Sequence, residues 1–145
     1  MTQAFIDSDV LLDMVTGRLP FSKEAAALFI LIDKKHVKGF ASSLSFSNLY
    51  YVLRKYASHT KVIKSLQELS DFIDILNVDQ ATVKTALKSG FKDFEDALQY
   101  HTTQSNTAVE VIITRNIKDF KKSEIPVMTP DTFLRTYAQM NNAND

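Results

Sequence analysis

Apolar positions fall into two patterns along the chain: short unbroken runs, and longer stretches in which they recur every three or four residues. Ala4-Phe5-Ile6 is a short run that stops at Asp7 and gives way to Val10, Leu11, Leu12, Met14 and Val15 at helical spacing. This reads as a strand feeding a helix. Pro20 breaks the pattern, Ser22 suits the cap of a second helix, and 25–32 is apolar at helical spacing. Gly39-Phe40-Ala41 is a second short strand. Ser42 or Ser43 then caps a helix to about Tyr56, with Leu49, Val52, Leu53 and Tyr56 on one face.

A helix over 61–72 is expected next, then a third strand through Ile73, Ile75, Leu76 and Val78. Asp79 or Thr82 starts another helix that ends near Gly90, Phe94–Gln104 is helical, and 109–114 carries the strongest strand pattern. Pro126-Val127-Met128 is a last short strand, and Thr129-Pro130 opens a final helix, with proline suited to the first turn. Strands alternating with helices of this length predict an α/β fold, with a mainly parallel central sheet flanked by helices on both faces. Ligands of such sheets bind beyond the carboxyl ends of the strands. Asp7, the Ser42-Ser43 pair and Thr114-Arg115-Asn116 all lie at strand ends.

Composition narrows the picture. The chain has 145 residues, few enough for one domain over 1–139, and the polar tail 140–145 reads as disordered. It has no cysteine, which excludes disulfides, thiolate metal sites and a cysteine nucleophile. The 17 Lys+Arg balance 17 Asp+Glu, so nucleic-acid binding would need a local patch rather than net charge. No run approaches the roughly 20 apolar residues of a membrane span, and the acidic start MTQAFID is no signal peptide. A cytoplasmic protein without membrane partners is expected.

Three clusters bear chemistry. Asp7-Ser8-Asp9 ends the first strand and offers oxygen ligands to a hard cation, or else a helix cap. Asp93 and Asp96 share a helix face, where their repulsion would be relieved by a metal; alternatively Asp93 caps the helix and Asp96 suits its first turn. Thr114-Arg115-Asn116-Ile117-Lys118-Asp119-Phe120 places an amide, an acid and two cations in one loop. None of the three is specific alone. His36, His59 and His101 lack zinc spacing, and three glycines could hardly build a phosphate loop. Basic residues gather at Lys34-Lys35, Arg54-Lys55, and Arg115 with Lys118, Lys121 and Lys122, near tyrosines only in the second group. Such lysines can hold RNA phosphates, but those of 34–38 read rather as a solvated face, whereas Arg115 and Lys118 are better candidates because their loop would lie beside the acids.

The order FIDSDVLLD, SSLSFSNLYYVLRK, KDFEDALQY, ITRNIKDF resembles the PIN-domain family over nearly the whole chain, and in particular its VapC-like ribonuclease toxins. The resemblance implies a PIN-like fold whose carboxyl edge holds acids binding one or two Mg²⁺ or Mn²⁺ ions. It maps the catalytic acids to Asp7, Asp96 and Asp119, with Asn116, Asp93 and Asn48 as further metal-site residues. Asn48 stands where the family usually has Glu, which implies a weakened site, unless Asn48 is merely a polar residue between Leu44 and Val52 on a helix margin. Ser8, Thr114, Arg115 and Lys118 would contact substrate. The expected activity is hydrolysis of RNA phosphodiesters by the toxin of a toxin–antitoxin pair, with a small antitoxin partner and a homodimer. The alternative is a PIN-like module that binds RNA or protein with weak or no catalysis.

Overall fold

The chain runs β1 (Thr2–Ile6), α1 (Ser8–Thr16), α2 (Ser22–Asp33), β2 (Val37–Ser42), α3 (Ser43–Leu53), α4 (His59–Ser70) and β3 (Ile73–Leu76) in its first half. It continues through α5 (Gln80–Leu87), α6 (Phe94–Gln104), β4 (Val111–Ile113), a 3-10 turn (Ile117–Phe120), β5 (Val127–Met128) and α7 (Pro130–Ala143). This is a computed structural model, and it describes residues 1–17, 21–106 and 108–143. Pro20, expected to break the first helical pattern, lies outside them.

Among the described residues the five strands make one parallel sheet in the order β3-β2-β1-β4-β5. Successive β1 residues divide between its faces. Ala4 and Ile6 join Val37, Ala41, Val111 and Ile113 in a core that also takes Leu11 of α1, Leu28 of α2, Leu49 of α3, Val62 of α4 and Phe133 of α7. Phe5, with Phe40 and Ile112, meets Tyr100 of α6 and Phe120 of the 3-10 turn on the other face. Helices therefore cover both faces, which is why the strands read as apolar runs rather than alternations.

The chain winds from β1 to β2 and β3 on one side, then returns to place β4 on the other side of β1. The sheet thus has its switch point between β1 and β4, where a crevice opens beyond the carboxyl ends. There the Asp7 N–H donates to the Ile113 carbonyl at 2.9 Å.

Element ends follow local hydrogen bonding. Gly17 closes α1 at φ 64°, and the Ser42, Ser58, Asp79 and Asp93 side chains cap α3, α4, α5 and α6. Three expectations need correction. The α3 helix ends at Leu53, not Tyr56, because the Leu53 carbonyl takes both the Tyr56 and Ala57 N–H groups in a turn. The β4 strand spans three residues rather than 109–114, although Glu110 still donates to the Gln3 carbonyl. The expected disordered tail is helical as far as Ala143, as a continuation of α7.

One buried side chain ties three helices together. Gln99 of α6 is fully buried; its Oε1 accepts from Ser42 Oγ at 2.6 Å, while its Nε2 donates to Ser45 Oγ at 3.0 Å and Ser8 Oγ at 3.4 Å. Gln99→Met keeps the volume but strands those hydroxyls, so urea denaturation should show a loss of about 1–3 kcal/mol. Gln67→Met on the exposed face of α4 should stay within about 0.5 kcal/mol of the parent.

Candidate functional site

Asp7 is the first residue past β1 and is buried at the switch point. Its Oδ1 accepts from the Ser8 N–H at 2.8 Å, so it caps α1, and its Oδ2 accepts from Thr114 Oγ1 at 2.8 Å. The cap reading of the first cluster therefore holds for Asp7, whose second oxygen is engaged by Thr114. Burial pushes its carboxyl up to about 7, reinforced by the charge of Asp9 and opposed by the bonds from Thr114 and Ser8.

Asp96 lies half-buried in the first turn of α6. Burial, then the charges of Asp93, Asp119, Asp7 and Glu95, raise its carboxyl to about 7. The three acids assigned by resemblance are thus electrostatic neighbours, although they stand at positions 7, 96 and 119. Asp119 is exposed on the 3-10 turn. A cleft of about 370 Å³ runs past Asp93, Asp96 and Asp119 and is walled by Lys92, Lys118, Lys121 and Lys122.

Other residues take different places. Asp93 caps α6, accepting from the Asp96 N–H at 3.0 Å. Arg115 turns its guanidinium to the buried Asp13, Nε to Oδ2 at 2.8 Å, and over the Phe21 ring at 4.0 Å. It joins α1 and the start of α2 to the β4 loop, away from the lysine-walled cleft. Asn116 donates its amide to Asp9 Oδ2 at 3.3 Å, the same oxygen that accepts the Arg115 N–H at 3.1 Å. Asn116 also sends its backbone N–H to Thr114 Oγ1 at 3.1 Å, so Thr114 links the loop to Asp7. Ser8 faces Gln99. Asn48 donates to Glu95 Oε1 at 2.8 Å.

Two residues escaped the sequence reading. Glu95 lies between the paired Asp93 and Asp96, whose three-residue spacing drew attention away from it. Gln99 has a signal only in hindsight, being on the face of α6 that carries Asp96 one turn earlier.

The acids Asp7, Asp96 and Asp119 offer carboxylate oxygens, which fit a hard divalent cation, and the charges that add to burial in raising Asp96 are a repulsion such a cation would relieve. Among the described residues no three acids or histidines converge into a ready metal cage. The fit is therefore one of chemistry and charge.

The family model that matches the sequence is the PIN domain, over residues 3–118. A comparison with curated proteins finds no match. A toxin–antitoxin complex from Klebsiella pneumoniae is similar in structure at 27% identity and TM-score 0.65, covering 88% of this chain and 97% of that one. DNA-bound VapBC from Salmonella typhimurium shares the fold at 14% identity and TM-score 0.67, covering 90% and 99%. A VapC of Mycobacterium tuberculosis, described as a sarcin-ricin-loop-cleaving toxin, shares it at 13% identity and TM-score 0.61, covering 75% and 86%.

The raised carboxyl groups set a pH dependence. From about pH 4 to 7 the unfolded chain has released the Asp7 and Asp96 protons that the folded chain keeps, so stability falls as pH rises through that window. The destabilisation is complete above pH 7 and absent below about 4. In EDTA, Asp7→Asn and Asp96→Asn should each be more stable than the parent at pH 8 and much closer to it at pH 4.5, read by urea denaturation. A parent–variant difference independent of pH would contradict the assignment.

Proposed function

The chain belongs to the PIN-domain family, and on that footing we propose that it is a metal-dependent endoribonuclease, the toxin of a toxin–antitoxin pair. The observation that carries the reading is that Asp96, on a lysine-walled cleft with Asp119, is raised by burial and then by the charges of Asp93, Asp119 and Asp7, the last of these at the sheet's switch point. The similar structures support the partner: they include toxin–antitoxin assemblies, and one is described as a sarcin-ricin-loop-cleaving toxin. A small antitoxin and a homodimer belong to the same proposal.

Asp7, Asp96 and Asp119 would hold Mg²⁺ or Mn²⁺, with Asn116, Asp93 and Asn48 at the margin of the site. Bound there, the ion supplies Lewis acidity toward a phosphate oxygen and a more acidic water. The chain's own residues do the rest. Thr114 and the Ser8 N–H fix both oxygens of Asp7, so its orientation survives the loss or gain of a proton. Lys118, with Lys92, Lys121 and Lys122, lines the path of a phosphate backbone into the acids. No helix is long and apolar enough to cross a membrane among the described residues.

One observation favours a binding module with little catalysis. Asn48, if it stands at the family's usual Glu position, would weaken metal binding, and among the described residues no closed cage is formed.

Mn²⁺ or Mg²⁺ should raise the melting temperature by linkage to the folded state. Asp7→Asn combined with Asp96→Asn should abolish that rise and the cleavage of single-stranded RNA while preserving the circular dichroism spectrum. Metal stabilisation without cleavage, or harmless overexpression, would instead favour the binding module.

A further inference from the structure

We propose that Phe91 is a stacking platform for an unpaired nucleobase of the RNA strand that enters the lysine-walled cleft. The inference rests on the ribonuclease reading above, and it adds to that reading the group that holds a base rather than a phosphate.

Among the described residues that line this cleft of about 370 Å³, Phe91 is the one with an apolar side chain. Lys92 follows it in sequence, and Lys118, Lys121 and Lys122 come from the 3-10 turn and the residues just after it. Cations for the backbone and an aromatic face for the bases are the pairing by which proteins hold single strands. A base offers its face in this way only where it is unpaired and unstacked.

The ring is held as a fixed plane. Buried Tyr100 of α6 stacks on it, with centroids 5.3 Å apart and planes inclined by 26°, and the Tyr100 hydroxyl in turn accepts the Glu124 N–H at 3.1 Å. Tyr100 belongs to the core, so it covers the inner side of a ring that is only partly buried and leaves the outer side to the cleft. The backbone before the ring is tied down as well. Ser89 Oγ accepts the Phe91 N–H at 3.3 Å and donates to the Ala86 carbonyl at 2.8 Å. Lys122 Nζ donates to the Gly90 carbonyl at 2.8 Å, a bond that bridges the two walls. Gly90 has φ 74°, and a Cβ there would come within 3.0 Å of Lys122 Nζ, so the bridge requires glycine. A ring ordered in advance loses little freedom when a base stacks on it. Leucine would fill the same space, but only an aromatic ring offers a base a flat face.

The test uses the full chain in EDTA at low salt, so that binding is read without cleavage. One probe is a fluorescent adenylate RNA of about eight nucleotides, and the other is an abasic ribose-phosphate oligomer of the same length. Phe91→Leu keeps apolar packing against Tyr100 but removes the ring. It should weaken adenylate binding about tenfold and leave abasic binding within about twofold of the parent. Phe91→Trp should bind adenylate at least as tightly as the parent. Because the chain has no tryptophan, the single indole of that variant reports directly: its fluorescence should fall on adding adenylate and hold on adding the abasic oligomer. Equal weakening of both probes by Phe91→Leu, or an indole that does not respond to adenylate, overturns the proposal. Should Phe91→Leu fail to fold, Phe91→Trp decides alone. Lys118→Gln separates the two levels, since it should weaken both probes and reduce the salt dependence by about one phosphate contact. If it does so while Phe91→Leu binds adenylate like the parent, only the role of Phe91 falls; if the parent binds neither probe, the RNA reading falls with it.

Discussion

The side-chain amide of Gln99 is the constraint on which the site depends. It is fully buried, and its carbonyl and amino ends both engage serine hydroxyls. Ser42 and Ser45 begin the helix that carries Asn48, Ser8 follows Asp7, and Gln99 stands one turn beyond Asp96. A buried amide cannot be left unpaired in a low-dielectric interior without heavy cost, so this set of bonds admits one arrangement of the three helices. Residues far apart in sequence are thereby held at a common edge.

That edge is electrostatically unfavourable in itself. Asp7 and Asp96 are pushed toward the neutral form by burial and by each other's neighbours, which means the folded chain bears a strain at neutral pH that the unfolded chain does not. The two apolar clusters on opposite faces of the sheet supply the stabilisation that lets such a site persist. Proteins commonly hold functional groups in arrangements that oppose stability, and the burial here lies directly beneath the acids.

The fold was largely legible because a parallel sheet covered on both faces leaves a plain record: short apolar runs separated by amphipathic helices. Phe94–Gln104 was readable to its last residue, since Asp93 is a strong cap. Boundaries set by tertiary pairing were less visible; β4 reads longer than it is because Val109 is buried without being in the ladder. For the site, strand ends pointed to Asp7 and the Thr114–Asp119 loop, and the resemblance joined them to Asp96. Spacing could not say that Arg115 would be taken by Asp13, because that pairing spans 102 positions, 115 less 13. Nor could it reveal that Glu95 accepts a hydrogen bond from Asn48 on another helix.

The bond between Thr114 and Asp7 joins residues 107 positions apart, and this has a consequence for how the protein comes into being. A growing chain that has delivered β1, β2 and β3 possesses half a sheet, with the far edge of β1 still unpaired. Nothing of the acidic edge exists at that stage except Asp7, since Asp96 and the loop bearing Asp119 have yet to emerge. Contacts of such long range form late and slowly. The acidic edge is therefore absent through most of the chain's own synthesis, and is assembled only when β4 closes against the first strand to have been made.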